Sequence, residues 1–249
     1  MTSDSAKFGE QTLNKMATMA IAHMIQDAEG VDVQIKTDLS KLAQGQVDSI
    51  AIKIQGLLMQ SSLRLEELYL QINRVAVKPL SAMLGKIKLV HPANGTIRII
   101  VNEDSLTQAL NSNLVRKNLP PLRKQAETQS EDKSIQQVKC YLLSDGHLTF
   151  HLGLNAPDPA LPSMSFKATP EIGNDGQGIV LQNLSHDHPA DHSESLAEII
   201  SALVAQISDL LSLPEFKHQG MSVQIQQLEV VTGKLSWEAI ASIDQFQST

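Results

Sequence analysis

Between Val31 and Val101 nearly every apolar residue sits two positions from the next, and this alternation slips by one position at defined places without being lost. From Leu63 to Val77 the apolar positions are Leu63 and Leu65, then Leu68, Leu70 and Ile72, then Val75 and Val77, so the slips fall at Glu66-Glu67 and Asn73-Arg74. Alternation predicts a strand with one buried face, and a one-residue slip predicts a bulge that bends and twists it. A strand bent twice while keeping its aliphatic residues inward is expected to curve around an apolar interior.

The same periodicity divides the rest of the chain. Residues 9–29 are predicted as a helix whose broad apolar face holds Leu13, Met16, Ala17, Ala20, Ile21, Met24 and Ile25, with Gly30 as terminator. Strands are predicted at 31–37, at 47–59 with Ile50, Ile52 and Ile54 inward and a bend at Gly56, at 63–78, and near 87–90 and 96–101. A helix over 103–116 follows, with Asn102 or Ser105 as its cap. Residues 117–134, polar and containing Pro120-Pro121, read as a linker. Beyond it, strands at 135–143 and 147–154 flank an Asp145-Gly146 hairpin signal, and less regular strands at 164–168 and 178–184 precede an amphipathic helix for which Ser195 and Glu198 offer a capping box. Strands at 223–231 and 235–243, joined through Thr232-Gly233, close the chain. Strands that follow one another through short turns predict an α+β fold with an antiparallel sheet. The expected organisation is one domain over 1–249, with sub-modules 1–116 and 135–249 either side of the linker.

Composition changes this picture in one respect. With five Phe, two Tyr and one Trp in 249 residues, the interior must be filled by aliphatic side chains and Met. Such an interior suits a malleable cavity and an ordinary core equally. The single Cys140 excludes an internal disulfide framework and fits a reducing compartment. At an inward position beside Val138 and Leu142 it reads as a small buried hydrophobe. The first residues lack a basic start followed by an apolar run, and the longest apolar stretch, Met16–Ile25, falls short of the roughly 20 residues a bilayer span needs. A cytoplasmic protein, peripheral to a membrane at most, is expected.

Charge is unevenly placed. Residues 1–126 carry 15 Lys and Arg against 11 Asp and Glu, whereas residues 127–249 carry 5 against 16. One end of the molecule could therefore approach an anionic surface that the other would avoid. The segment RKNLPPLRK sets Arg116, Lys117, Arg123 and Lys124 around an apolar tip, a pattern suited to an anionic membrane and equally to a plain linker. Nucleic acid is disfavoured by the acidic total and by the absence of aromatics beside the basic residues.

Candidate chemistry is sparse. The run SHDHPADHSE supplies His186, Asp187, His188, Asp191, His192 and Glu194, which are competent zinc or nickel ligands, but the spacing matches no recognised site and a solvated loop accounts for it equally. His147 and His151 alternate with Thr149 on the outward side of a strand, with no serine elbow or glycine-rich phosphate loop to accompany them. No catalytic residue, cofactor or metal is expected.

The stretch Val31–Ile87 resembles the family of small bacterial proteins related to the mycobacterial lipomannan-elongation phospholipid-binding protein, most closely its cyanobacterial-type members. The resemblance rests chiefly on KTDLSKLAQGQVDSI and NRVAVKPLSAMLGKI, continues through IRIIVNEDSLTQALNS and returns in VQIQQLEVVTGKLSWEAIASI. It implies a tubular lipid-binding fold, a long helix wrapped by a highly curved antiparallel sheet around an apolar cavity, and phospholipid binding without catalytic residues. A role in lipoglycan synthesis is not carried over, because the expected compartment differs. On this basis the lead expectation is non-enzymatic binding or transfer of phospholipid or another acyl lipid. Its lining residues would be Met16, Ala20 and Met24 of the first helix with Ile50, Ile52, Ile54, Leu68, Leu70 and Ile72 of the sheet. The alternative is a scaffold or assembly protein at a membrane surface, with a filled core and no lipid cargo.

Overall fold

The computed structural model describes residues 2–25, 27–78, 89–120, 135–154, 164–187, 193–212 and 221–243. They form an α+β structure with two antiparallel sheets. Strands β1 (Gly30–Lys36), β2 (Gln46–Leu58), β3 (Arg64–Ala76) and β4 (Ala93–Asn102) form a meander, which β10 (Lys234–Ile243) and β9 (Met221–Val231) extend to the order β1-β2-β3-β4-β10-β9. The second sheet is the meander β5 (Ile135–Leu142), β6 (Leu148–Leu154), β7 (Met164–Ile172) and β8 (Ile179–Asp187). Because β10 pairs with β4 from Ile243↔Ala93 to Lys234↔Asn102, residues from both sides of 117–134 share the first sheet.

The predicted slips in β3 occur where the sequence put them: Glu66, Glu67, Asn73 and Arg74 face away from the core while Leu65, Leu68, Leu70, Ile72 and Val75 are buried. They are not one-sided bulges, however. Leu57 lies opposite Leu65, Ile54 opposite Leu68, Ile50 opposite Ile72 and Val47 opposite Val75, a constant register that leaves Gly56 facing Glu66 and Asp48 facing Arg74 at the breaks. Both strands slip together, and at each break one residue takes a left-handed conformation, Gly56 at φ 62° and Arg74 at φ 55°. An irregularity matched across the ribbon flips the side-chain phase of both strands at once, so the aliphatic face stays continuous without losing register.

The helices are α1 (Thr2–Met24), α2 (Leu39–Ala43), α3 (Glu103–Leu110), α4 (Asn113–Arg116) and α5 (Ser193–Ser212). Two of them seal sheet edges in the same manner. In α1, Asn14 Oδ1 accepts from the Ile35 amide at 2.8 Å and Thr18 Oγ1 from the Val33 amide at 3.0 Å. Along α3 and its C-cap, Glu103 Oε2 accepts from the Leu142 amide at 3.2 Å, Thr107 Oγ1 from Cys140 at 3.0 Å and Asn111 Oδ1 from Val138 at 3.0 Å. Four residues of helix rise about 6 Å and two residues of strand about 6.7 Å. A polar stripe at every fourth helical position therefore meets every second amide of an antiparallel edge. Edges that would otherwise present bare donors are thereby satisfied.

On α5, Ile199, Leu203, Ile207 and Leu211 form an apolar face that is almost wholly enclosed. They join one core with the inner faces of both sheets, including Phe150 and Phe166, whose rings stack 4.7 Å apart. Several boundaries move from expectation. The predicted 103–116 helix breaks in two because Asn111 turns its side chain onto β5 and Ser112 caps α4 anew. Ser195 lies inside α5, which starts at Ser193, so the expected capping box is not the helix start. Asn102 does cap α3, accepting from Ser105 N at 2.8 Å. The unpredicted α2 is capped by Asp38, which accepts from Lys41 N at 2.8 Å. Of the strand expected at 87–90, Leu89 bridges Val77, and residues 79–88 lie outside the described residues.

Candidate functional site

Register places the aliphatic residues of the six-stranded sheet in rows that cross it. One row runs Val33, Ile52, Leu70, Ile97, Ala239, Ile225, and the next runs Ile35, Ile50, Ile72, Gly95, Ala241, Val223. A third carries Ile54, Leu68, Ile99 and Trp237. All six strand residues predicted as lining, Ile50, Ile52, Ile54, Leu68, Leu70 and Ile72, thus form three directly opposed pairs on one face. Directly opposed side chains stand about 5 Å apart and pack as a continuous surface.

Burial along this face is graded. Ile72, Ile97 and Ile99 at its centre are about 1% exposed, whereas Ile35, Ile50 and Ile52 toward β1 are only half-buried. Gly95 sits where a Cβ would come within 2.5 Å of the Gln71 carbonyl oxygen, so the third and fourth strands approach too closely there for any other residue. Val33 of β1, directly opposite Ile52, is also 1% exposed, so the face is closed at its centre and at Val33 and is partly open only around Ile35, Ile50 and Ile52.

The methionine-bearing helix contributes differently from expectation. Met16 is 66% exposed, Met19 65%, and Ala20 is exposed as well, while Leu13, Ala17 and Ile21 are half-buried; the side chain of Met24 lies outside the described residues. At about 100° per residue, Met16 projects roughly opposite the side that carries Asn14 and Thr18, and Met19 about 120° from it. The physical reason is the edge ladder: α1 spends the side facing β1 on hydrogen bonds, which turns two methionines outward. Spacing of Asn14 and Thr18 at i, i+4 within an apolar helix was the available signal, repeated by Glu103, Thr107 and Asn111.

The basic segment is also divided. Arg116 is committed to the fold, its Nη2 donating to Asn111 Oδ1 at 3.2 Å and to the Gln136 carbonyl. Lys117 is exposed next to Leu114, itself 54% exposed, and Arg123 and Lys124 lie outside the described residues. His186 and Asp187 end β8, while His188, Asp191 and His192 lie outside the described residues; among those described, no group of three His, Cys, Asp or Glu could hold a metal ion. Burial, with a smaller contribution from the Glu103 charge, pushes the Cys140 thiol far above its ordinary range. No helix among the described residues is long and apolar enough to cross a membrane.

A family model described as LmeA-like phospholipid-binding matches residues 5–240. No curated protein and no solved structure matches the chain.

Proposed function

Since the chain belongs to the LmeA-like phospholipid-binding family, we propose that it holds a phospholipid or similar lipid by its acyl chains against the aliphatic face of the six-stranded sheet. On this reading the sheet curves, as in a tubular lipid-binding fold, about an apolar cavity that opens at the β1–β2 end beside α1. Ile50 and Ile52 would stand at the opening, with Ile54, Leu68, Leu70 and Ile72 behind them. Met16 and Ala20 would lie outside it, on the helix that flanks it. The local opening carries the proposal: Ile72 is fully enclosed while its direct partner Ile50, and Ile35 beyond it, are only half-enclosed, so this row is continuous from core to surface.

Energetics favour a carrier over a tight receptor. An acyl chain gains about 0.8 kcal/mol per methylene on leaving water, but nearly nothing on leaving a bilayer, whose tails are as apolar as Leu. An aliphatic wall with few rings needs only to match the bilayer, which permits uptake and release without chemistry. The protein would work at the periphery of a membrane, transferring lipid non-enzymatically.

Mass spectrometry of an organic extract of the purified protein, paired with transfer of fluorescent phospholipid between vesicles, tests this. Copurifying lipid and measurable transfer are expected, both reduced in Ile50→Ser/Ile52→Ser. Protein that carries no lipid and neither binds nor moves the labelled phospholipid overturns the proposal.

A further inference from the structure

The outward face of the second sheet carries a polar cluster unrelated to the aliphatic rows. At its centre is Thr149, 7% exposed, whose Oγ1 is buried without a hydrogen-bond partner. A hydroxyl can both donate and accept, and one left unpaired in a buried position is costly unless something else satisfies it. Register sets Tyr141 on one side of Thr149 and Lys167 on the other, while His147 and His151 flank it along its own strand. Lys139 lies opposite His151, as does Ser165 from the other side. The cluster is organised internally. His147 Nδ1 and Thr169 Oγ1 are 3.1 Å apart, and the Tyr141 and His151 rings meet edge to face at 5.2 Å.

The surrounding charge makes this face unusual. Residues 127–249 contain five Lys and no Arg, and two of those Lys, Lys139 and Lys167, stand on this one face, both exposed. Two described carboxylates border it: Glu171 accepts from Asn183 Nδ2 at 3.4 Å, and Asp145 Oδ1 accepts from the His147 amide at 3.1 Å. Two ammonium groups, two imidazoles and a set of hydroxyl donors around an unsatisfied buried hydroxyl are complementary to a compact, multiply accepting anion. Cross-strand spacing of about 5 Å puts Tyr141 and Lys167 beside the covered Thr149 hydroxyl, and one of these two side chains must swing aside for a tetrahedral oxyanion to reach it and its neighbours together.

We propose that the β5–β8 outer face around Thr149 binds a phosphate group, carried by a lipid headgroup or free in solution. The site does not depend on the acyl-binding reading, because a glycerophosphate without acyl chains would occupy it.

Amide and side-chain NMR shifts of the full chain are followed during titration with glycerol 3-phosphate and inorganic phosphate. Cosedimentation is measured in parallel with neutral phosphatidylcholine vesicles and with vesicles containing phosphatidic acid. Saturable shifts centred on Thr149, Tyr141 and His151 indicate a soluble phosphate. Cosedimentation dependent on phosphatidic acid, without those soluble shifts, indicates the headgroup in a membrane. In either case Lys139→Gln/Lys167→Gln, at two exposed positions, is expected to weaken binding at least about tenfold. Thr149→Val, which removes the orphaned hydroxyl at nearly constant shape, is expected to lose binding while melting no lower than the wild type. Binding unchanged in both variants, or no binding of any of these probes, overturns the proposal. Phosphate binding by a protein that carries no acyl lipid would uphold this site and refute the acyl-binding reading alone.

Discussion

Asn111 grips Val138 from both sides, its Oδ1 accepting from the Val138 amide at 3.0 Å and its Nδ2 donating to the Val138 carbonyl at 2.6 Å. One side chain thus replaces a neighbouring strand for that residue. Asn111→Ala leaves both groups of an edge residue unpaired and is expected to cost about 2–3 kcal/mol. Asn111→Asp, which keeps only the acceptor, should fall between. Urea denaturation measures both, and a loss under about 0.5 kcal/mol for the alanine variant would mean that water replaces the side chain freely.

The paired breaks in β2 and β3 make opposite predictions for two substitutions. Arg74 holds φ 55° without the freedom of glycine, so Arg74→Gly should be neutral or stabilising by up to about 1 kcal/mol, against the usual penalty for glycine in a strand. Gly56→Ala must adopt φ 62° and place its Cβ 2.4 Å from Glu29 Cδ, and should cost about 1–2 kcal/mol from the backbone alone. Adding Glu29→Ala relieves the contact and not the backbone, so most of the loss should persist in the double variant's melting curve.

Acid stability should carry the signature of Asp38. The Lys41 amide, then the Ser40 hydroxyl, hold its carboxyl below the ordinary value of 3.8. Its contribution is therefore present above that value and is lost as pH falls through the lower folded pKa. Asn is as good a cap as Asp but does not titrate, so Asp38→Asn should match the wild type near neutrality and lose less stability on acidification below about pH 4. Identical acid profiles would show that the cap is not coupled to folding.

Cys140 should be inert in the native protein. Its thiol is buried and held protonated by burial, and the thiolate is the reactive species. Iodoacetamide at mildly alkaline pH is expected to leave it unlabelled until denaturant is added, when one equivalent should react. Rapid labelling of the folded chain would place the thiol at a surface.

Much of the sheet was legible because alternation reports directly on which face of a strand is buried: the pairs Ile50–Ile72, Ile52–Leu70 and Ile54–Leu68 follow from phase alone once the two strands are adjacent. The position of α1 was not legible in the same way. An apolar stripe states how much of a helix avoids water and is silent on which neighbour covers it; two polar residues, Asn14 and Thr18, decided the placement by bonding to β1. The return of β10 to β4 had no local signal either, since Ile240 and Thr96 meet across a separation that no window of periodicity spans. Thr149 read as one more outward strand residue, and its burial depends on Tyr141 and Lys167 from the two adjoining strands.

That return of the last strand has a consequence for how the protein is made. Ala93 waits for Ile243, about 150 residues later in the chain, and at roughly 5–20 residues per second of synthesis this is roughly 8–30 s. Throughout that interval β4 exists on the ribosome with one flank of amides and carbonyls unpaired, in a segment as aliphatic as Ile97-Arg98-Ile99-Ile100-Val101. Such an edge is a template for any passing strand. The nascent chain is thus exposed to misassociation until β10 emerges, and truncation ahead of Lys234 should yield aggregates rather than a smaller folded protein.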